Sequence, residues 1–149
     1  MTDNSHAILA PSGADRWGPD GCAGSVAMEA NQPEQEPTEE SREGDAAHWL
    51  LAQTLLKLTV PADAVAPNGV PINDEMREAI LELVEDVADT LKGCQPGDYY
   101  EIEQRIAAPE LIHPDCWGTP DVLFVQHSRK TVHIWDFKYG HRFVDAYRN

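Results

Sequence analysis

The residues best suited to chemistry lie in one stretch, Gly118-Thr119-Pro120-Asp121-Val122 through Trp135-Asp136-Phe137-Lys138-Tyr139-Gly140. It holds two carboxylates, Asp121 and Asp136, and an ammonium, Lys138. The apolar alternation around them predicts strands over Gly118 to Gln126 and Thr131 to Tyr139, with His127-Ser128-Arg129-Lys130 as the connection. Residues of one parity share a strand face. Val132, Ile134, Asp136 and Lys138 therefore point one way, and Thr131, His133, Trp135 and Phe137 the other. A tight antiparallel hairpin turning at Ser128-Arg129 sets Asp121 opposite Asp136. Two carboxylates brought together repel unless a hard divalent cation lies between them, and Mg²⁺ is held by one or two protein carboxylates plus waters. Such an ion polarises a phosphoryl oxygen and makes water a better nucleophile, and a neighbouring lysine can neutralise the developing negative charge. An ordinary surface Asp–Lys pair is the plain alternative; the cross-strand register and the flanking apolar residues argue against it.

These residues need elements to position them. From Glu40 to Leu58, apolar residues at Ala47, Leu50, Leu51, Leu55 and Leu58 follow helical spacing, with Thr38 or Ser41 as cap and Pro61 beyond the end. A second helix is expected over Asp74 to Lys92, with Gly93 closing it. After Gln95-Pro96-Gly97-Asp98 the period changes to two, and Tyr99 to Ala107 reads as the first strand. Residues 1–30 read as a turn or short helix near Ser12 to Trp17 followed by loop, and 31–40 as a mobile acidic loop. Residues 142–147 can add part of a fourth strand. The expected fold class is α+β: two helices followed by an antiparallel-rich strand meander, within a single domain over 1–149.

Pro120-Asp121, fourteen residues, then Asp136-Phe137-Lys138 resembles the PD-(D/E)XK nuclease signature. Three further elements are similar to its RecB-type and phage exonuclease branch. Glu43-Gly44-Asp45-Ala46-Ala47-His48 resembles that branch's Gly-x-x-x-His-type helix. Gly118-Thr119-Pro120-Asp121 resembles its strand start. Tyr139-Gly140 follows the Asp-x-Lys as it does there. The opening Ser12-Gly13-Ala14-Asp15-Arg16-Trp17, then Cys22-Ala23-Gly24-Ser25, is similar to a phage-encoded subgroup. The resemblance runs over nearly the whole chain and implies a restriction-endonuclease-like core.

By this resemblance Asp121, Asp136 and the backbone carbonyl of Phe137 would hold Mg²⁺ or Mn²⁺. Lys138 would hold the attacking water or stabilise the phosphate, and His48 would be a ligand or helper from the first helix. Glu43 precedes His48 by five residues, about 140° around a helix, so His48 is the stronger candidate. Glu103 is a possible addition from the first strand; a solvated strand face is its plainer reading. Cys22 resembles the start of an iron–sulfur frame, but the later cysteine cluster is absent, so no cluster is expected. The branch continues after its Asp-x-Lys strand with a helix bearing Gln and Tyr; here the sequence ends at Asn149, and that C-terminal part of the fold is expected to be missing.

The implied function is metal-dependent hydrolysis of DNA phosphodiesters, as an exonuclease of phage recombination type acting on double-stranded DNA. The alternative is a non-catalytic nuclease relative, an acidic module that binds a protein partner or self-associates as a homo-oligomer. The net charge is -15, carried unevenly. Residues 1–98 hold 19 acidic and 5 basic side chains, a net of -14, and residues 99–149 hold 7 and 6, a net of -1. The global charge argues against nonspecific DNA affinity, while the balanced C-terminal third leaves room for a local phosphate site. No apolar run approaches the ~20 residues of a membrane span, and no signal peptide is visible. Three scattered cysteines give no disulfide framework, so the expected location is cytoplasmic, with no membrane partner.

Overall fold

The structure, a computed structural model, describes residues 7–22, 24–33, 36–107 and 109–140. The chain starts with a 3-10 turn at Pro11–Gly13 and the short helices α1 (Ala14–Trp17) and α2 (Ser25–Glu29). α2 lies where loop was expected. Trp17 Nε1–H donates to the Ala10 carbonyl at 2.9 Å, and Cys22 N–H to the Arg16 carbonyl at 2.8 Å. That second bond brings the backbone of Gly21 so close to Arg16 that a Cβ there would stand 2.1 Å from its carbonyl oxygen. Glycine is required at this approach.

α3 (Glu39–Leu55) begins at Thr38, whose hydroxyl accepts the Ser41 N–H at 3.2 Å. Glu39, assigned above to the acidic loop, forms its first turn with Glu40, where carboxylates favour the positive end of the helix dipole. The helix buries Ala46, Ala47, Leu50 and Leu51. The expected second helix is two: α4 (Asp74–Ala79), capped by the Asn73 side chain on Met76 N–H at 2.8 Å, and α5 (Leu81–Leu91). They part at Ile80, whose side chain enters the core.

The strands are β1 (Tyr99–Ile102), β2 (Ile106–Ala107), β3 (Trp117–Gly118), β4 (Val122–Gln126) and β5 (Thr131–Trp135). Two of the expected strands are each divided between sheets. β1, β4 and β5 make one antiparallel sheet in the order β1-β4-β5, and β2 and β3 make a separate antiparallel ribbon. The first division falls at Glu103, whose φ of 49° leaves the extended region. The second follows Gly118, where Pro120 has no N–H to donate to a ladder.

Two compact units result. The first draws on residues 7–36 and 105–119 and contains α1, α2 and the β2–β3 ribbon, with the Arg105 guanidinium 3.6 Å over the Trp117 ring. The second draws on residues 37–104 and 120–140 and contains α3, α4, α5 and the three-stranded sheet. Its core joins α3, α4 and Phe137: Ala46, Ala47, Leu50, Leu51, Ala66, Ile72, Met76 and Ile80 cluster with that ring. Fully burying a side chain of Leu, Met or Phe size stabilises by about 1.5–3 kcal/mol, so this cluster anchors the segment that follows β5. Trp135 Nε1–H donates to Asp86 Oδ2 of α5 at 2.7 Å, tying the same strand end to a second helix. The parity expected for β5 holds in the burial pattern, but the Val132/Ile134 side is exposed, and His133 and Trp135 are the half-buried residues.

Candidate active site

All the candidate residues lie in the second unit. The β4–β5 ladder runs from Gln126↔Thr131 to Val122↔Trp135, the register expected from the four-residue turn. Continued by one rung, that register would set Asp121 against Asp136, but the pairing stops at Val122↔Trp135. The ladder has ended there, and the Asp121 side chain takes over its role. Asp121 Oδ2 accepts the Phe137 N–H at 2.5 Å, and Asp121 Oδ1 accepts His48 Nδ1–H at 2.7 Å. One carboxylate thus joins the start of β4, the segment after β5 and the middle of α3. Asp121 is 9 % exposed, a charge taken from water and met by two donors.

His48 is positioned from two sides. α3 carries it four residues after Gly44, and its ring meets the Phe137 ring edge-on at 5.3 Å. Burial disfavours charge on the ring, but the hydrogen bond that the ring donates to Asp121 and that carboxylate's charge outweigh it. Lys138 opposes protonation and Asp136 assists it. The net result is a pKa raised above 6.5.

Asp136 and Lys138 lie on the exposed side. Lys138 Nζ contacts Asp136 Oδ2 at 2.7 Å, and both side chains are about half exposed, at 46 % and 49 %. An ion pair this wet is worth little to stability. Both charges act on His48, so the pair belongs to the same electrostatic neighbourhood as Asp121.

Glu103 joins from the opposite strand. Its N–H donates to the Asp121 carbonyl at 3.0 Å, which extends the β1–β4 pairing by one rung. Desolvation raises its carboxyl pKa, the Asp121 charge raises it further, and His48 lowers it. Glu103 and Asp121 are therefore backbone partners at one end of the sheet, and Asp136 follows β5 directly. Glu43 is placed elsewhere. It lines a cavity of about 380 Å³ with Arg42, Gly69, Asn73 and Met76, and its charge acts on Tyr139. Burial raises the Tyr139 phenol above its usual value, and Glu75 and Glu43 raise it further.

The Phe137 N–H is a site group that sequence reasoning missed. Every non-proline residue has an N–H, so nothing in the residue types marks this one. Gln126 was missed as well. It is a buried polar side chain whose Oε1 is 3.0 Å from His133 Nε2, and it steadies the far end of the same hairpin.

Whether these donors suit Mg²⁺ or Mn²⁺ is a matter of count. Among the described residues, no three His, Cys, Asp or Glu side chains stand close enough to hold an ion by themselves. A cage built wholly of side chains does not fit. Two carboxylates completed by a carbonyl, waters and a phosphate do fit the habits of Mg²⁺, because each Asp121 oxygen keeps a free lone pair beyond the donor it already holds. Asp136 Oδ2 is held by Lys138 at 2.7 Å.

Among the described residues no helix is long and apolar enough to cross a membrane. No curated protein and no solved structure matches the chain. A family model described as "Protein of unknown function (DUF2800)" matches residues 6–149, and the chain belongs to that family.

Proposed function

We propose that this chain is a metal-dependent deoxyribonuclease core that hydrolyses phosphodiesters of double-stranded DNA, of the exonuclease type its sequence resembles. The observation that carries the reading is Asp121. A buried carboxylate is held by a helix histidine and a backbone N–H, one register step from a surface Asp136–Lys138 pair.

In this reading Asp121 and Asp136 hold Mg²⁺ or Mn²⁺ with the Phe137 carbonyl, whose position is fixed by the buried ring. When bound, the ion polarises the scissile phosphoryl oxygen and makes water a better nucleophile. His48 keeps the Asp121 carboxylate aimed by donating Nδ1–H. Lys138 holds Asp136 in the absence of substrate and turns its ammonium to the phosphate when substrate arrives, neutralising charge as the phosphorus gains its fifth oxygen. Glu103 adds a third negative charge beside Asp121 and favours a cation there.

The test is cleavage of linear duplex DNA by the purified chain with Mg²⁺, with Mn²⁺ and with chelator. The reading predicts cleavage with either metal and none with chelator, and loss of activity in Asp136→Asn. Cleavage that survives chelation, or an equally active Asp136→Asn, refutes it. No cleavage with either metal favours the second reading, a non-catalytic acidic module, for which the observation is the charge of -15.

A further inference from the structure

The last paired residue of β5 is Trp135, and among the described residues no strand continues through 136–140. The lysine that the proposed chemistry uses therefore sits on backbone that no ladder fixes. A lysine side chain is long and rich in rotamers, so where its ammonium goes depends on how firmly its backbone is held. Asp136 is secured on both sides. β5 precedes it, and Phe137 follows with its N–H on Asp121 Oδ2 and its ring in the core. Lys138 has Phe137 on one side only, and what secures the other side has to come from Tyr139.

Tyr139 has the contacts for that. Exposure alternates along this segment: Asp136 and Lys138 are exposed, Phe137 is buried and Tyr139 half-buried. The Tyr139 side chain packs against the same α3 and α4 cluster as Phe137, and the two ring centres are 6.4 Å apart. Its phenol lies near Asn73 and Glu75 at the start of α4 and Glu43 of α3, all of which act on it. Asn73 is itself fixed, since its side chain caps α4 on the Met76 N–H. Phe137 and Tyr139 enter one core from either side of Lys138. The Lys138 side chain leaves on the open side, where its Nζ meets Asp136 Oδ2.

We propose that Tyr139 is a positioning residue for Lys138: its ring, anchored against the α3 and α4 core, holds the backbone beyond Lys138 so that the ammonium is presented to the phosphate. The inference rests on the nuclease reading for what Lys138 does, and on packing for what Tyr139 holds. Its consequence is asymmetric. Asp136 is secured without Tyr139, so loss of the ring spares the metal and disturbs the lysine.

The test is a double-mutant cycle in the full chain, Tyr139→Ala with Lys138→Ala, read by kcat and KM for cleavage of linear duplex DNA and by Mn²⁺ calorimetry. Tyr139→Ala should bind Mn²⁺ within a few-fold of wild type, with KM little changed and kcat lower by about 10–10²-fold, the cost of a misplaced donor. In the Lys138→Ala background the same change should cost almost nothing, because the group it positions is gone. Tyr139→Phe keeps the ring and should retain most of the rate. Circular dichroism checks folding, and Tyr139→Leu, which keeps apolar bulk, replaces the alanine variant if that does not fold, with the same pattern at smaller size. Equal losses in both backgrounds show a general structural role and overturn the proposal, as does wild-type turnover in Tyr139→Ala. A wild type that does not cleave refutes the nuclease reading instead, and positioning is then read without activity. NMR contacts between the Lys138 and Asp136 side chains should be lost in Tyr139→Ala, while the contact of the Phe137 ring with His48 persists. Unchanged Lys138 contacts overturn the proposal.

Discussion

Removing the Asp121 carboxylate tests how the site is built, because two bonds of different kinds end on it. In Asp121→Ala the Phe137 N–H loses its acceptor in a buried setting, which costs about 1–3 kcal/mol. The His48 bond is charge-assisted, but the ring is about a third exposed, and water replaces part of what is lost. A further ~1 kcal/mol is a fair allowance after that discount. Asp121→Ala should therefore lose about 2–4 kcal/mol of unfolding free energy, read by urea denaturation below pH 6. Asp121→Asn separates the two bonds. Its carbonyl oxygen can still accept the Phe137 N–H, but its amide can meet His48 only by donating, which requires Nδ1 without a proton. The Asn variant should be less destabilised than the Ala variant. Its His48 pKa should fall below that of wild type, since burial then acts without the carboxylate that offset it. NMR titration of the histidine ring protons reads that shift. An Asp121→Ala variant as stable as wild type, or a His48 titration unchanged in Asp121→Asn, would falsify the clamp.

Further outcomes follow from the same geometry. Lys138→Ala should leave Mn²⁺ affinity within a few-fold and slow DNA cleavage by about 10²–10³, since it removes one charge-stabilising donor and no oxygen ligand; equal turnover by both proteins excludes Lys138 from the reaction. The pKa of His48 is raised on folding, so its contribution to stability is fully present below pH 6.5 and fades as pH rises through the higher folded value. Urea unfolding from pH 5 to 8 should show that decline in wild type and a flatter profile in His48→Gln, and parallel profiles would contradict the assignment. Thr38→Ala removes the cap of α3 and should cost about 1 kcal/mol without altering metal binding, as calorimetry on the same samples can check.

Much of the site-bearing unit is legible in the sequence because the signals are local. The apolar spacing from Ala47 to Leu55 and the hydroxyl at Thr38 mark α3 and its start. The four residues between Gln126 and Thr131 fix the hairpin register from Gln126↔Thr131 to Val122↔Trp135. The fold is α+β with antiparallel sheets, as the order of elements predicts. What was not legible depends on tertiary context. Tyr99 to Ala107 has strand character throughout, and only the left-handed backbone at Glu103 reveals that its two ends serve different sheets. The break at Ile80 lies inside an unbroken apolar stripe. Strand parity separates the two faces of β5 but does not tell which one the helices cover, so the exposed Val132 and Ile134 emerge only from the packing. The expected strand at 142–147 lies outside the described residues.

The account turns on Asp121 and Asp136 sharing one hard cation, and calorimetric titration of Mn²⁺ into the purified chain tests that most directly. It predicts saturable binding at one site in wild type and loss of that site in Asp136→Asn, with circular dichroism showing the variant folded. Identical binding by the two proteins, or no binding by wild type, would contradict it.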